Sequence, residues 1–198
     1  MKIIGLTGQS GAGKSAACAV FEKHGIPCVN TDAVYHSLLK HNSPLVCELV
    51  RTFGLSISDN AGGIDRKKLA GIVFSCKESL NTLNKITHRH ILSVSEDMLK
   101  EYEAHGAYAA VIDAPQLFES GFDKKCDITL GITADKETLI KRIISRDNIS
   151  VSDAEKRLKN QHPKEFFIKN CTYTIENTLG LDELEKAVVS VINEIKEL

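Results

Sequence analysis

No apolar run in the chain approaches the roughly 20 residues that a membrane-spanning helix requires, so no such helix is expected. The six cysteines, Cys18, Cys28, Cys47, Cys76, Cys126 and Cys171, stand singly with mostly apolar neighbours and no C-x-x-C pair. They read as small buried hydrophobes, not as disulfide partners or zinc ligands. His88 and His90 are the only close histidine pair, and on a helix that spacing points the two side chains to different faces, which argues against a metal pair. An excess of charge is lacking too. The 25 Lys and Arg against 26 Asp and Glu leave a net charge of -1, which argues against bulk attraction to nucleic acid or to an anionic membrane. Internal repeats, low-complexity tracts and Pro- or Gly-rich linkers are missing. What remains is 198 residues, 42% of them hydrophobic. That length can bury a good core and is consistent with one domain carrying insertions, so one compact unit is expected. The apolar N-terminal run is broken by Gln9, Ser10 and Lys14 before any cleavage-like site. It reads as a strand and not as a signal peptide, and a cytoplasmic protein is the expectation.

One stretch carries chemistry. Gly8-Gln9-Ser10-Gly11-Ala12-Gly13-Lys14-Ser15 lies between the apolar run Lys2 to Thr7 and the helical pattern Ala16 to Phe21. This is a P-loop in its required setting of strand, tight loop and helix. Glycines 8, 11 and 13 free the backbone so that successive N–H groups, from Ser10 through Ala12 to Ala16, can converge on phosphate oxygens. The positive end of the helix dipole adds to them. Lys14 would reach the β- and γ-phosphates of a bound nucleotide, and the Ser15 hydroxyl would ligate the bridging Mg²⁺. A P-loop does not name its phosphate acceptor, because kinases, motors and GTP switches all use one.

The rest of the chain alternates. Gly25 should end the first helix, Ile26 to Asn30 reads as a second strand, and Asp32 stands just beyond it. In an open α/β sheet that is the ligand rim shared with Gly8, although Asp is also a preferred N-cap for the helix Ala33 to Leu39. Residues from about 44 to 105 form a helical insertion, with loops at Gly54 and at Asp59-Asn60-Ala61-Gly62-Gly63 and an N-cap at Asp65. An apolar third strand, Tyr108 to Ile112, brings Asp113 to the rim, where it could hold the metal's water shell, and Pro115 to Gly121 leave as a loop. Strand four is Asp127 to Ile132, and Asp135 caps a helix through Leu139 to Ile144 that ends in Arg146-Asp147. Ser152-Asp153-Ala154-Glu155 has capping-box spacing before the basic helix Lys156 to Gln161, which with Arg142 could close over a transferring phosphoryl group as a lid. Thr172 to Glu176 reads as strand five, Asn177 to Gly180 as a loop, and Leu181 onward as a closing amphipathic helix. The pattern predicts an α/β fold, a five-stranded parallel doubly wound sheet of the P-loop kinase type with a helical insertion and a helical lid.

Along nearly its whole length the chain resembles the dephospho-CoA kinase family. The resemblance rests on the P-loop, Asn30-Thr31-Asp32, Gly62-Gly63-Ile64-Asp65-Arg66, Leu83-Asn84 with His88, Asp113-Ala114-Pro115-Gln116-Leu117-Phe118-Glu119, Arg142 with Arg146-Asp147, and Arg157 with Gln161. It implies ATP- and Mg²⁺-dependent phosphorylation of the 3′-hydroxyl of dephospho-CoA, a small-molecule partner, the last step of coenzyme A synthesis. Implied catalytic residues are Lys14, Asp32 as base, and Arg142. The nucleotide would meet Gly8, Ser10, Gly11, Ala12, Gly13, Lys14, Ser15, Ala16 and Arg146. The acceptor would meet Asp32, Arg66, His88, Pro115, Leu117 and Phe118, and the metal Ser15 and Asp113. The implied division is 1–33, 107–141 and 171–198 as nucleotide-binding core, 34–106 as acceptor-binding insertion and 142–170 as lid, in a monomer or weak homo-oligomer. Departures from the family pattern are Asn30 for the usual first Asp, Arg89 where Pro follows His, Gln116 for Leu, and Phe166-Phe167 in a segment that is commonly Lys- and Arg-rich.

Two other readings compete. A nucleoside monophosphate kinase would share sheet and lid but bind a much shorter acceptor. A GTP switch would need Asn-Lys-x-Asp, for which Asn84-Lys85-Ile86-Thr87 lacks the Asp. Asp59-Asn60-Ala61-Gly62 mimics a switch motif but lies inside the helical insertion, and reads as a turn.

Overall fold

Short apolar runs bounded by turn residues become the strands of a single sheet. In the computed structural model, which describes residues 1–40 and 43–197, these are β1 (Lys2–Gly8), β2 (Cys28–Asn30), β3 (Ala109–Asp113), β4 (Ile128–Thr133) and β5 (Tyr173–Glu176). Their order is β2-β3-β1-β4-β5. β1 pairs in parallel with β3 and β4, and β4 with β5. Every residue of β3 and β4 is buried, as in strands covered on both faces. This is the parallel, doubly wound α/β sheet that the alternation predicts. The strand order reverses around β1, so a crevice opens at the carboxyl ends where the P-loop leaves the sheet.

The nine α-helices of the described residues are α1 (Lys14–Lys23), α2 (Thr31–Leu38), α3 (Pro44–Phe53), α4 (Arg66–Val73), α5 (Lys77–Ala104), α6 (Lys136–Asp147), α7 (Val151–Lys159), α8 (Lys164–Asn170) and α9 (Leu181–Glu197). The chain divides into two compact units, Met1–Cys28 with Tyr102–Leu198, and Val29–Glu101, where length and composition predict one. The physical reason is that each has a core of its own. In the first, Ile4, Leu6, Leu130 and Ile132 of the sheet pack with Ala17 and Phe21 of α1 and Leu184, Val188 and Ile192 of α9. In the second, Leu45, Val46 and Leu49 of α3 pack with Ile57, Ile64, Leu69, Val73 and Ile86. His41, Asn42 and Leu198, which the proposed segment boundaries include, lie outside the described residues.

Local signals place most boundaries. Asp65 caps α4 by accepting from Lys67 and Lys68 N–H, and Asp135 caps α6 by accepting from Thr138 N–H. Asp59 Oδ1 accepts from Ala61 and Gly63 N–H inside a turn closed by the Ser58–Ile64 bridge, so the switch-like motif is a turn, as read. Three expectations need correction. The cap of α7 is Ser150, which accepts from Asp153 N–H, and not Ser152; both serines have an acid three residues on, so spacing alone could not choose. The helix α8, unforeseen in the sequence, forms over Lys164–Asn170 and lies against β4 and β5 with Phe167 buried. The cysteines are free thiols, five of them half-buried and Cys47 exposed, so none is a fully buried core residue.

Candidate active site

The phosphate cradle is shaped by what crosses behind it. Gly8 has φ 140°, and a Cβ there would stand 2.0 Å from the Ile132 carbonyl of β4. Gly13 has φ 110°, and its Cβ would meet Asn177 Nδ2 at 2.5 Å. Both positions therefore require glycine on conformation and on space. Gly13 also opens α1, whose first turn holds no acidic residue and no side-chain cap. Elsewhere α2, α3, α4, α6 and α7 are all capped by side chains. A helix N-terminus left without a protein anion suits phosphate. Lys14 Nζ donates to the Gly8 carbonyl at 3.1 Å, which keeps its charge at the mouth of its own loop.

Three elements buttress the loop. From α6, Arg142 Nη1 donates to the Asn177 carbonyl at 2.9 Å and to the Gly11 carbonyl at 3.4 Å. From the end of β5, buried Asn177 donates through Nδ2 to the Ala12 carbonyl at 2.7 Å. Ser10 accepts from Arg146 Nη2 at its hydroxyl, 3.2 Å, and its N–H donates to Gln161 Oε1 at 2.8 Å. Arg146 is itself forked onto Asp147 at 2.8 and 2.9 Å, and Arg157 of α7 joins the same carboxylate. Arg146 first, with Arg157, holds the Asp147 carboxyl down at about 2. The fixed guanidinium groups and backbone dipoles make a preorganised positive site.

Asp113 ends β3 opposite Leu6 of β1 and is buried, while Ser15 in the first turn of α1 is exposed. In the loop after β3, Pro115 is exposed and its carbonyl accepts from Thr7 Oγ1 at 3.4 Å. Phe118 meets Phe166 of α8 edge to face, with centroids 5.3 Å apart. Leu117 is fully buried below Gly5 of β1, so its side chain belongs to the core. On α1, a side-chain hydrogen bond with Cys28, burial and the Asp113 charge all push the Cys18 thiol up, which keeps it neutral and makes it no nucleophile.

The second unit holds the other expected residues. Asp32 is exposed in the first turn of α2, and the cap of that helix is Asn30, which accepts from Ala33 N–H at 2.8 Å. Capping therefore does not account for Asp32. Arg66 is exposed at the start of α4, close enough to Tyr35 that its charge acts against the upward push of burial on the phenol. His88 is half-buried on α5.

Comparison with known proteins decides the family. The family model described as dephospho-CoA kinase matches residues 2–183. The dephospho-CoA kinase of Lactobacillus johnsonii is 34% identical over 192 residues, 97% of each chain. The chain belongs to the dephospho-CoA kinase family. Its fold agrees with two solved structures. One, TT1252 from Thermus thermophilus, has a TM-score of 0.81 at 30% identity and covers 98% of this chain and 97% of its own. The other, the dephospho-CoA kinase from Campylobacter jejuni, has a TM-score of 0.71 at 29% identity over 100% and 98%. The protein is thus a phosphotransferase with the P-loop kinase fold. Asn177 was legible only as a loop residue, and Asp147, Arg157 and Gln161 only as helix residues and as part of the family pattern, because no local spacing announces a contact across the fold.

Proposed function

We propose that the chain transfers the γ-phosphoryl group of ATP to the 3′-hydroxyl of dephospho-CoA in the presence of Mg²⁺. The observation that carries this reading is the family match over residues 2–183, since a P-loop alone leaves the acceptor open. Lys14 and Arg142 offset the charge of the transferring group, and Gly8, Ser10 to Ala16 and Arg146 hold the nucleotide. Phosphoryl transfer through a loose transition state depends on alignment and charge stabilisation. Asp32 therefore has to orient the acceptor hydroxyl and take its proton late, for which a carboxylate is sufficient.

Residues 34–106 supply the acceptor region through Asp32 before them and through Arg66 and His88 within them. Pro115 and Phe118 contribute from the loop after β3, which Leu117 anchors to the core. Segment 142–170, with α7 and α8, acts as lid, and 1–33, 107–141 and 171–198 as nucleotide core. Ser15 and Asp113 would hold the metal. Among the described residues no group of three or more His, Cys, Asp and Glu could bind an ion by itself. One hydroxyl and one carboxylate fit Mg²⁺, which keeps waters and phosphate oxygens as most of its ligands. When bound it would supply charge neutralisation at the phosphates.

A phosphorylation assay that offers dephospho-CoA beside AMP, CMP and shikimate tests the reading. Transfer to dephospho-CoA alone is expected, with specificity lower by several orders of magnitude for adenosine, because the remote arm helps position the reacting hydroxyl. Comparable specificity constants for adenosine and dephospho-CoA would overturn it.

A further inference from the structure

Ser10 is held at both its polar groups by parts of the chain far from it in sequence, Arg146 at the hydroxyl and Gln161 at the amide. Gln161 lies in the turn between α7 and α8, and that turn is pinned from its other side. His162 stacks on Phe166 with centroids 3.7 Å apart and planes 8° from parallel, and its Nε2 lies 2.9 Å from Glu119 Oε1 in the loop after β3. Phe166 in turn meets Phe118 at 5.3 Å and Phe167 at 5.5 Å, both edge to face. The aromatic pair Phe166-Phe167 thus fastens the turn where a basic segment would not.

Close packing does not explain where the Gln161 side chain sits. It borders a cavity of about 810 Å³ whose wall also includes Gln9, Leu158, Lys159 and Pro163. A long, half-buried side chain beside a cavity keeps its rotamer freedom unless a specific bond removes it. Here that bond is the 2.8 Å contact to Ser10 N–H, an amide of the phosphate cradle itself.

We propose that Gln161 is a positioning residue for phosphoryl transfer. Its side-chain carbonyl, by accepting the Ser10 N–H, registers the α7–α8 segment on the cradle. With Asp147, at the end of α6, joining Arg146 to Arg157 in the last turn of α7, this sets where both guanidinium groups stand when the phosphoryl group moves. The inference rests on the function proposed above. If Gln161 merely satisfied a backbone donor, its loss would cost stability or nucleotide affinity and leave turnover at saturation intact.

The test uses the full chain with Gln161→Ala and with Gln161→Met, which keeps length and volume but cannot accept the bond. Four quantities are measured: melting temperature, affinity for a non-hydrolysable ATP analogue, kcat at saturating ATP and dephospho-CoA, and ADP released per acceptor phosphorylated. Misregistration of about 1 Å is expected to lower kcat on the order of 10- to 100-fold in both variants while affinity stays within about threefold. ADP release in excess of transfer is expected, since a displaced lid admits water. A folded Gln161→Met protein whose kcat stays within about twofold of wild type overturns the inference, as does a loss confined to the KM for ATP. A wild-type protein that binds the analogue but never phosphorylates dephospho-CoA sinks the proposed function and this inference with it. An active wild type with unaffected variants sinks this inference alone.

Discussion

Asn177 donates from Nδ2 to the Ala12 carbonyl at 2.7 Å across a sequence separation of 165 residues. This one contact joins the carboxyl end of β5 to the middle of the phosphate cradle, and it occupies the space a side chain at Gly13 would need. Asn177 is also tied into the sheet, since its N–H donates to the Thr133 carbonyl of β4 at 2.7 Å and its carbonyl accepts from Arg142. The cradle therefore inherits its shape from the sheet rim. Replacing Asn177 by Ala removes a buried donor and is expected to destabilise the fold by about 1–3 kcal/mol, with weaker binding of ATP. Denaturant unfolding and calorimetric titration check both effects, and wild-type ATP affinity would show that the cradle holds its form unaided.

Lys14→Ala should leave the fold intact, because Lys14 is only half-buried and donates to the Gly8 carbonyl of its own loop. Turnover is expected to fall on the order of 10²-fold or more, as when a preorganised charge is taken from a transferring phosphoryl group. Steady-state kinetics with a melting curve decide it, and a change in turnover under about threefold would remove Lys14 from the chemistry.

Asn30 and Asp32 stand two residues apart and can be separated by substitution. Asn30→Ala removes the cap of α2 and should cost about 1 kcal/mol of stability. Asp32→Asn leaves that cap in place, so stability and ATP affinity should hold while turnover drops by about 10² if the carboxylate takes the proton. Equal turnover for Asp32→Asn and wild type at an unchanged melting temperature would exclude the role as base.

Acid should loosen the link between α6 and α7. Asp147 titrates at about 2 in the folded chain against an ordinary 3.8, held down by Arg146 and Arg157. A depressed carboxylate contributes stability that is present above the ordinary value and is lost as pH falls toward the folded one. Wild type should therefore lose melting temperature between pH 4 and pH 2 more steeply than Asp147→Asn, which has no carboxylate to protonate. Parallel curves for the two proteins would show that the pair of guanidinium contacts adds no pH-dependent stability.

By itself the sequence determined the features that arise within one or two turns of chain. The strand, glycine loop and helix of residues 2 to 23 were legible because backbone freedom, dipole and spacing are local properties, and Asp65 and Asp135 were legible as caps because a cap acts three residues ahead. Tertiary structure decided the rest. Ser150 and Ser152 offer the same spacing to an acid, and only the folded chain, in which Ser150 Oγ accepts from Asp153 N–H, distinguishes them. Seven residues are too few for α8 to display a period, so its existence depends on Phe167 finding the sheet. Asn30 capped where Asp32 was a candidate, which no single-residue preference could foretell since both side chains accept a backbone N–H equally well. The grips of Asn177 on Ala12 and of Gln161 on Ser10 span 165 and 151 residues. A hydrogen bond at that separation has no periodicity or spacing to announce it, and exists only once the sheet has brought β5 and the α7–α8 turn to the same rim.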